Sequence, residues 1–135
     1  MAIDSDLTFR DSSDGNLTGD EAGSTHILDL GQGGTGIGGA VVVVRVPQTS
    51  GTDTLVVTVQ HDDSATLASV DHSETFPTIT SGTTTLPGEF RLRVFSTRRY
   101  VGLDFNVTDT GGGVNFGAVE GYLTLGAASV GGARP

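Results

Sequence analysis

Residues 31–46 read Gly-Gln-Gly-Gly-Thr-Gly-Ile-Gly-Gly-Ala-Val-Val-Val-Val-Arg-Val. Their first six residues, Gly31 to Gly36, satisfy the dinucleotide-binding pattern G-x-G-x-x-G, and a short apolar stretch, His26 to Leu30, precedes them. In a nucleotide site the last glycine opens a helix whose N-terminal amides receive the pyrophosphate. Here the glycines run instead into Ala40-Val41-Val42-Val43-Val44, a β-branched run that favours a strand. Without a helix the phosphate has no floor. The stretch therefore reads as a glycine-rich connection between two strands, and no cofactor is expected.

Working outward from it, the same period of two recurs along the chain. Ala40, Val42, Val44 and Val46 alternate with Val41, Val43 and Arg45. Leu55, Val57 and Val59 point one way from Thr54–His61, and Phe90–Val94 alternates apolar residues with Arg91 and Arg93. Val101, Leu103, Phe105 and Val107 form another row, and Val119, Leu123 and Leu125 lie opposite Ala118, Glu120, Tyr122 and Thr124. Such alternation marks half-buried strands. Gln48–Gly51, Ser81-Gly82, Pro87-Gly88 and Gly111–Gly113 supply turns between them. No amphipathic helix intervenes, so the fold class is all-β, a jelly-roll-like antiparallel β-sandwich.

With 135 residues the chain is long enough for one domain with a real core. Three parts are expected: an extended acidic arm over 1–25, a sandwich over 26–126 and a flexible glycine-rich tail over 127–135. The arm has six acids against Arg10, and its apolar residues Ile3, Leu7, Phe9 and Leu17 are sparse. A stretch of that composition orders only where it lies on something else.

The formal charge is −9, and all seven bases are arginine. That sign repels nucleic acid and anionic lipid, so neither is an expected partner. No apolar run is long enough to span a bilayer, and Met1-Ala2-Ile3-Asp4 differs from a signal peptide, which predicts synthesis in the cytoplasm. Cysteine is absent, which excludes thiolate and disulfide chemistry.

Catalytic sets are poorly supplied. There is no G-x-S-x-G elbow. His61-Asp62-Asp63 and Asp71-His72-Ser73-Glu74 offer metal-binding residue types, but both fall where strand patterns end and read as polar loop residues. Asp11-Ser12-Ser13-Asp14-Gly15 lacks the spacing and closing glutamate of an EF-hand loop. No metal and no enzyme activity are expected.

One cluster stands out. Arg91, Arg93, Arg98 and Arg99 place four of the seven arginines within nine positions. They fit either a solvated strand face paired with neighbouring acids or a docking patch making bidentate contacts to a partner's carboxylates. Tyr100 and Tyr122, opposite Val101 and Leu123 in their strands, fit either an edge-filling role or an interface. Together with Ile3, Leu7, Phe9 and Arg10 of the arm, these residues form the candidate partner interface.

The C-terminal half also resembles a known family. The Leu86-Pro87-Gly88 turn, an arginine-bearing strand and then Thr97-Arg98-Arg99-Tyr100-Val101-Gly102-Leu103-Asp104-Phe105-Asn106-Val107 are similar to the "RYLRLxYxV" segment of tailed-phage capsid cement proteins of the Bordetella-phage type. Gly111 to Leu123 follows in the order of that group's glycine loop, aromatic and final "aGxvtaxL" strand. Upstream, Ser24 to Gly31 resembles its "S-x-x-x-I-D-L-G" entry strand, and Asp53–Gln60 its "xLxVxLQ" strand. The acidic arm is longer than in that group, and Gly102 stands where it often has a second arginine.

The resemblance implies a jelly-roll head decoration protein on the outer surface of the virion capsid. It would bind the major capsid protein and itself, as a homodimer or homotrimer, and reinforce the seams between capsid subunits. A carbohydrate-binding β-sandwich module and a phage tail or baseplate structural protein are the alternative readings.

Overall fold

The computed structural model describes residues 7–31 and 39–125. Ile3, the middle of the glycine stretch (32–38) and the tail expected over 127–135 lie outside the described residues.

Among the described residues nine strands form two antiparallel sheets. They are β1 (Thr8–Arg10), β2 (Ile27–Asp29), β3 (Ala40–Val46), β4 (Thr54–Asp62), β5 (His72–Thr75), β6 (Ile79–Thr80), β7 (Gly88–Val94), β8 (Tyr100–Thr108) and β9 (Glu120–Leu125). The first sheet has the order β1-β9-β3-β7; the second runs β2-β8-β4-β5, with β6 also paired to β4. The connection from β2 to β3 thus changes sheet, and a strand, not a helix, follows the glycines. That is the reading the valine run required.

Alternation dictates which face is buried. Along β3, Ala40, Val42, Val44 and Val46 are inaccessible to solvent, and along β4 so are Leu55, Val57 and Val59. Leu103, Phe105 and Val101 of β8 and Leu123 of β9 complete one shared core between the sheets. Fully burying a side chain of this size contributes about 1.5–3 kcal/mol, so these rows hold the layers together. Phe76 and Phe116 from loops and Ile79 from β6 close the core. The glycine turn at Gly111–Gly113 has φ of 128°, 92° and 88°, a region other residues rarely enter.

Two expectations are corrected. The arm expected over 1–25 is built into both sheets from Leu7 onward. β1 pairs with β9 across a register shift between Thr8 and Arg10. Leu17 is fully buried, and its amide donates to the Gly117 carbonyl while its own carbonyl accepts from Phe116 N–H. Glu21 and Phe105 exchange a pair of backbone hydrogen bonds, at 2.9 and 2.8 Å. The segment is polar, but its backbone is satisfied by strand edges and its few apolar side chains fill the core.

Second, His72–Thr75 is a strand, not a loop. β5 pairs with β4 in the register His61↔His72, Gln60↔Ser73, Val59↔Glu74 and Thr58↔Thr75. It carries no apolar residue, so ladder hydrogen bonds and the following Phe76 anchor it.

Candidate functional site

The arginine cluster lies at the end of edge strand β7 and in the turn to β8. Arg98 donates from Nε to Asp71 at 2.9 Å and from Nη1 to Asp63 at 3.0 Å. Arg99 makes a two-pronged contact with Asp29, both bonds at 2.9 Å, and its guanidinium lies 5.1 Å from the Tyr100 ring centre. The Arg99 hydrogen bond, followed by the Gly31 amide, holds the Asp29 carboxyl below its usual range. Its hydrogen bonds to Asp63 and then to Asp71 raise the Arg98 pKa in turn. The carboxylates opposite Arg98 and Arg99 are thus the chain's own, as the solvated reading of the cluster requires.

Arg91 and Arg93 stand in the exposed row of β7. Arg91 is bound to Glu89 at 2.6 Å, and Glu89 also accepts from Arg45 at 3.0 Å. Arg45 covers the Tyr122 ring at 5.4 Å, which leaves Tyr122 only 7% exposed although it points away from the core. The sequence reading missed two apolar neighbours of this region, Phe95 and Val70, which are 54% and 41% exposed. Phe95 follows β7 directly, and Val70 precedes the Asp71 that binds Arg98. Their exposure depends on how the loops turn, which no periodicity reports. Among the described residues, β7 is paired on one side only, by β3.

The arm residues go elsewhere. Phe9 faces the core and Leu7 packs against it. Arg10 is 1% exposed and holds the centre of a buried clasp. Its Nε and Nη2 donate to Glu21 at 2.8 and 3.1 Å, and its Nη1 donates to the carbonyls of Gly15 and Val119 at 2.9 and 2.8 Å. His26 joins through Nε2 to Glu21 at 2.7 Å and through Nδ1 to the Phe9 carbonyl at 3.1 Å, with its ring edge-on to Phe105. Burial pushes the Glu21 carboxyl up, but hydrogen bonds from Arg10 and His26 outweigh it and leave it below its usual range. Asp11 and Asp14 cap a single 3-10 turn, each accepting from a backbone amide at 2.9 Å.

A third group assembles across β4 and β5. His61, at the inward end of β4, is fully buried, while His72 and Glu74 project from β5 on the same face. Glu74 bridges the two rings, with Oε1 on His61 Nε2 and Oε2 3.5 Å from His72 Nε2. The ring centres are 4.9 Å apart. Burial depresses the His61 pKa more than Glu74 raises it, leaving it below its usual value. Both histidine stretches lie on paired strands rather than in loops, and register, not spacing, brings them together. These are the residues best suited to hold a metal among those described.

An open cleft of about 390 Å³ is lined by Arg45, Val46, Pro47, Glu89, Ala118 and Glu120, among others. Among the described residues no helix is long and apolar enough to cross a membrane. No protein-family model matches the chain, and no curated protein matches it.

Proposed function

We propose that the chain is a capsid decoration protein of the jelly-roll cement type, attached to the outer surface of a phage head. The single observation that supports this most directly is the edge of β7 that no strand pairs among the described residues, a seven-residue strand flanked by the exposed Phe95. At about 3.3 Å per residue such an edge runs roughly 23 Å, enough for a strand of a neighbouring subunit to pair with it. Backbone pairing of this kind joins chains without a catalytic or ligand site.

This reading moves the attachment surface. The arm residues Phe9 and Arg10 serve the fold, and Arg98 and Arg99 organise their own loops, so the contact falls to β7 and Phe95. Repetition over a symmetric shell gives a small oligomer several footholds, and avidity then exceeds the strength of any one contact.

The test is co-sedimentation of the purified protein with decoration-free mature capsids of its phage, followed by electron microscopy. Regular density at two-fold or three-fold positions on the outside of the shell is the expected result. Absence of binding to capsids, with density instead on tails, would replace this reading with a tail or baseplate role.

A further inference from the structure

His61, His72 and Glu74 play no part in the attachment described above, yet they bring two imidazoles and a carboxylate to one point. We propose that they form a binding site for a single late first-row divalent cation of the Zn²⁺ class, open to solvent on its His72 side.

The donor set carries the assignment. Two imidazole nitrogens and one carboxylate oxygen form a three-ligand set that zinc accepts, leaving a fourth position for water. Imidazole selects Zn²⁺, Cu²⁺ and Ni²⁺, whereas Mg²⁺ and Ca²⁺ prefer oxygen donors. One ligand atom from each residue lies within 4.8 Å of the others. Metal–ligand distances of about 2.0–2.1 Å in a tetrahedron place donors roughly 3.3–3.4 Å apart, so the cation replaces the proton of the direct His61–Glu74 hydrogen bond, which widens, and a small closure on the other side completes the geometry. His72 can supply it, because its side chain is 54% exposed and turns without disturbing the core. His61 and Glu74 are held by the β4–β5 ladder.

A second observation concerns the far side of His61. Its Nδ1 is buried without a hydrogen-bond partner, so the ring's polar contacts all lie on the Nε2 side, toward Glu74 and His72. A cation on Nε2 moves the ring proton to Nδ1, where no acceptor waits. Ligating histidines elsewhere normally have such an acceptor. Its lack here sets the expected affinity in the micromolar range rather than tighter.

The sequence holds three histidines, and the remaining one, His26, is bound at both ring nitrogens by Phe9 and Glu21. Binding through imidazole is therefore assigned to one place. The experiment is titration of the metal-free full chain with Zn²⁺, read by calorimetry, by thermal unfolding and by the histidine ring signals in NMR. Zn²⁺ is expected to bind with micromolar Kd, raise Tm and shift the His61 and His72 signals but not those of His26, while Mg²⁺ does none of these. His72→Ala, an exposed change compatible with folding, should weaken Zn²⁺ binding about tenfold or more. Unchanged Zn²⁺ affinity in His72→Ala, or no rise in Tm for the wild-type chain, would overturn the proposal.

Discussion

Two groups of arginines sit in opposite environments. Arg10 is buried, bonded through three nitrogens to Glu21 and to the Gly15 and Val119 carbonyls, and it ties the N-terminal segment to the entry of β9. Arg98 and Arg99 are more than a third exposed and bind Asp63, Asp71 and Asp29 in solvent. Charge density along the sequence points to the second group, yet the energetics favour the first. A buried charge that loses its partners has no water to fall back on, whereas an exposed pair exchanges protein partners for solvent at little cost.

Removing the centre of the clasp should have the largest effect. Arg10→Ala leaves Glu21 half-buried and two carbonyls without donors, and a loss of about 3–5 kcal/mol is expected, measured by denaturant unfolding. A loss no greater than that of a surface substitution would erase the contrast between the two groups.

Acid should act on the same clasp more gently. Glu21 has its folded pKa below the unfolded value, so its contribution is complete above about pH 4.5. That contribution is lost as pH falls through the folded pKa, because the unfolded chain takes up the proton first. Thermal unfolding followed from pH 6 downward should show Tm falling in that window, and Glu21→Gln should flatten this part of the profile. A profile unchanged by the substitution would assign acid sensitivity to other carboxylates.

The smallest effect is expected at the exposed group. Arg98→Ala and Arg99→Ala should leave Tm within the reproducibility of a thermal scan. A clear drop in Tm would mean that the β7–β8 turn depends on these pairs and would narrow the comparison.

The legibility of the chain divides along the same line. Strands β3, β4, β7, β8 and β9 announce themselves because one face is buried and period two follows from that. The N-terminal segment does not, because Phe9 and Leu17 enter the core singly from an otherwise polar stretch. No local pattern reports that the carbonyl of residue 119 will meet the guanidinium of residue 10. β5 is silent for a related reason: His-Ser-Glu-Thr becomes a strand only through its register with β4. The site residues follow suit, since His61 and His72 lie opposite one another by pairing alone.

Gly102 shows how closely the N-terminal segment packs. A Cβ at Gly102 would press into the Gly23 carbonyl and the Leu67 side chain. The N-terminal segment crosses β8 at this point, and the glycine leaves it room.

The pairing of β1 with β9 has a consequence for how the chain is made. The bond from Arg10 to Val119 spans 109 positions, and β1 finds its partner strand only after about that many further residues have been made. At about 5–20 residues per second of synthesis, β1 waits for seconds before the strand it pairs with is made. Closing so long a loop must precede any gain from the contacts it makes. Of the two sheets, the one that holds β1 is therefore completed later, and the nascent protein stays open along that seam until β9 arrives.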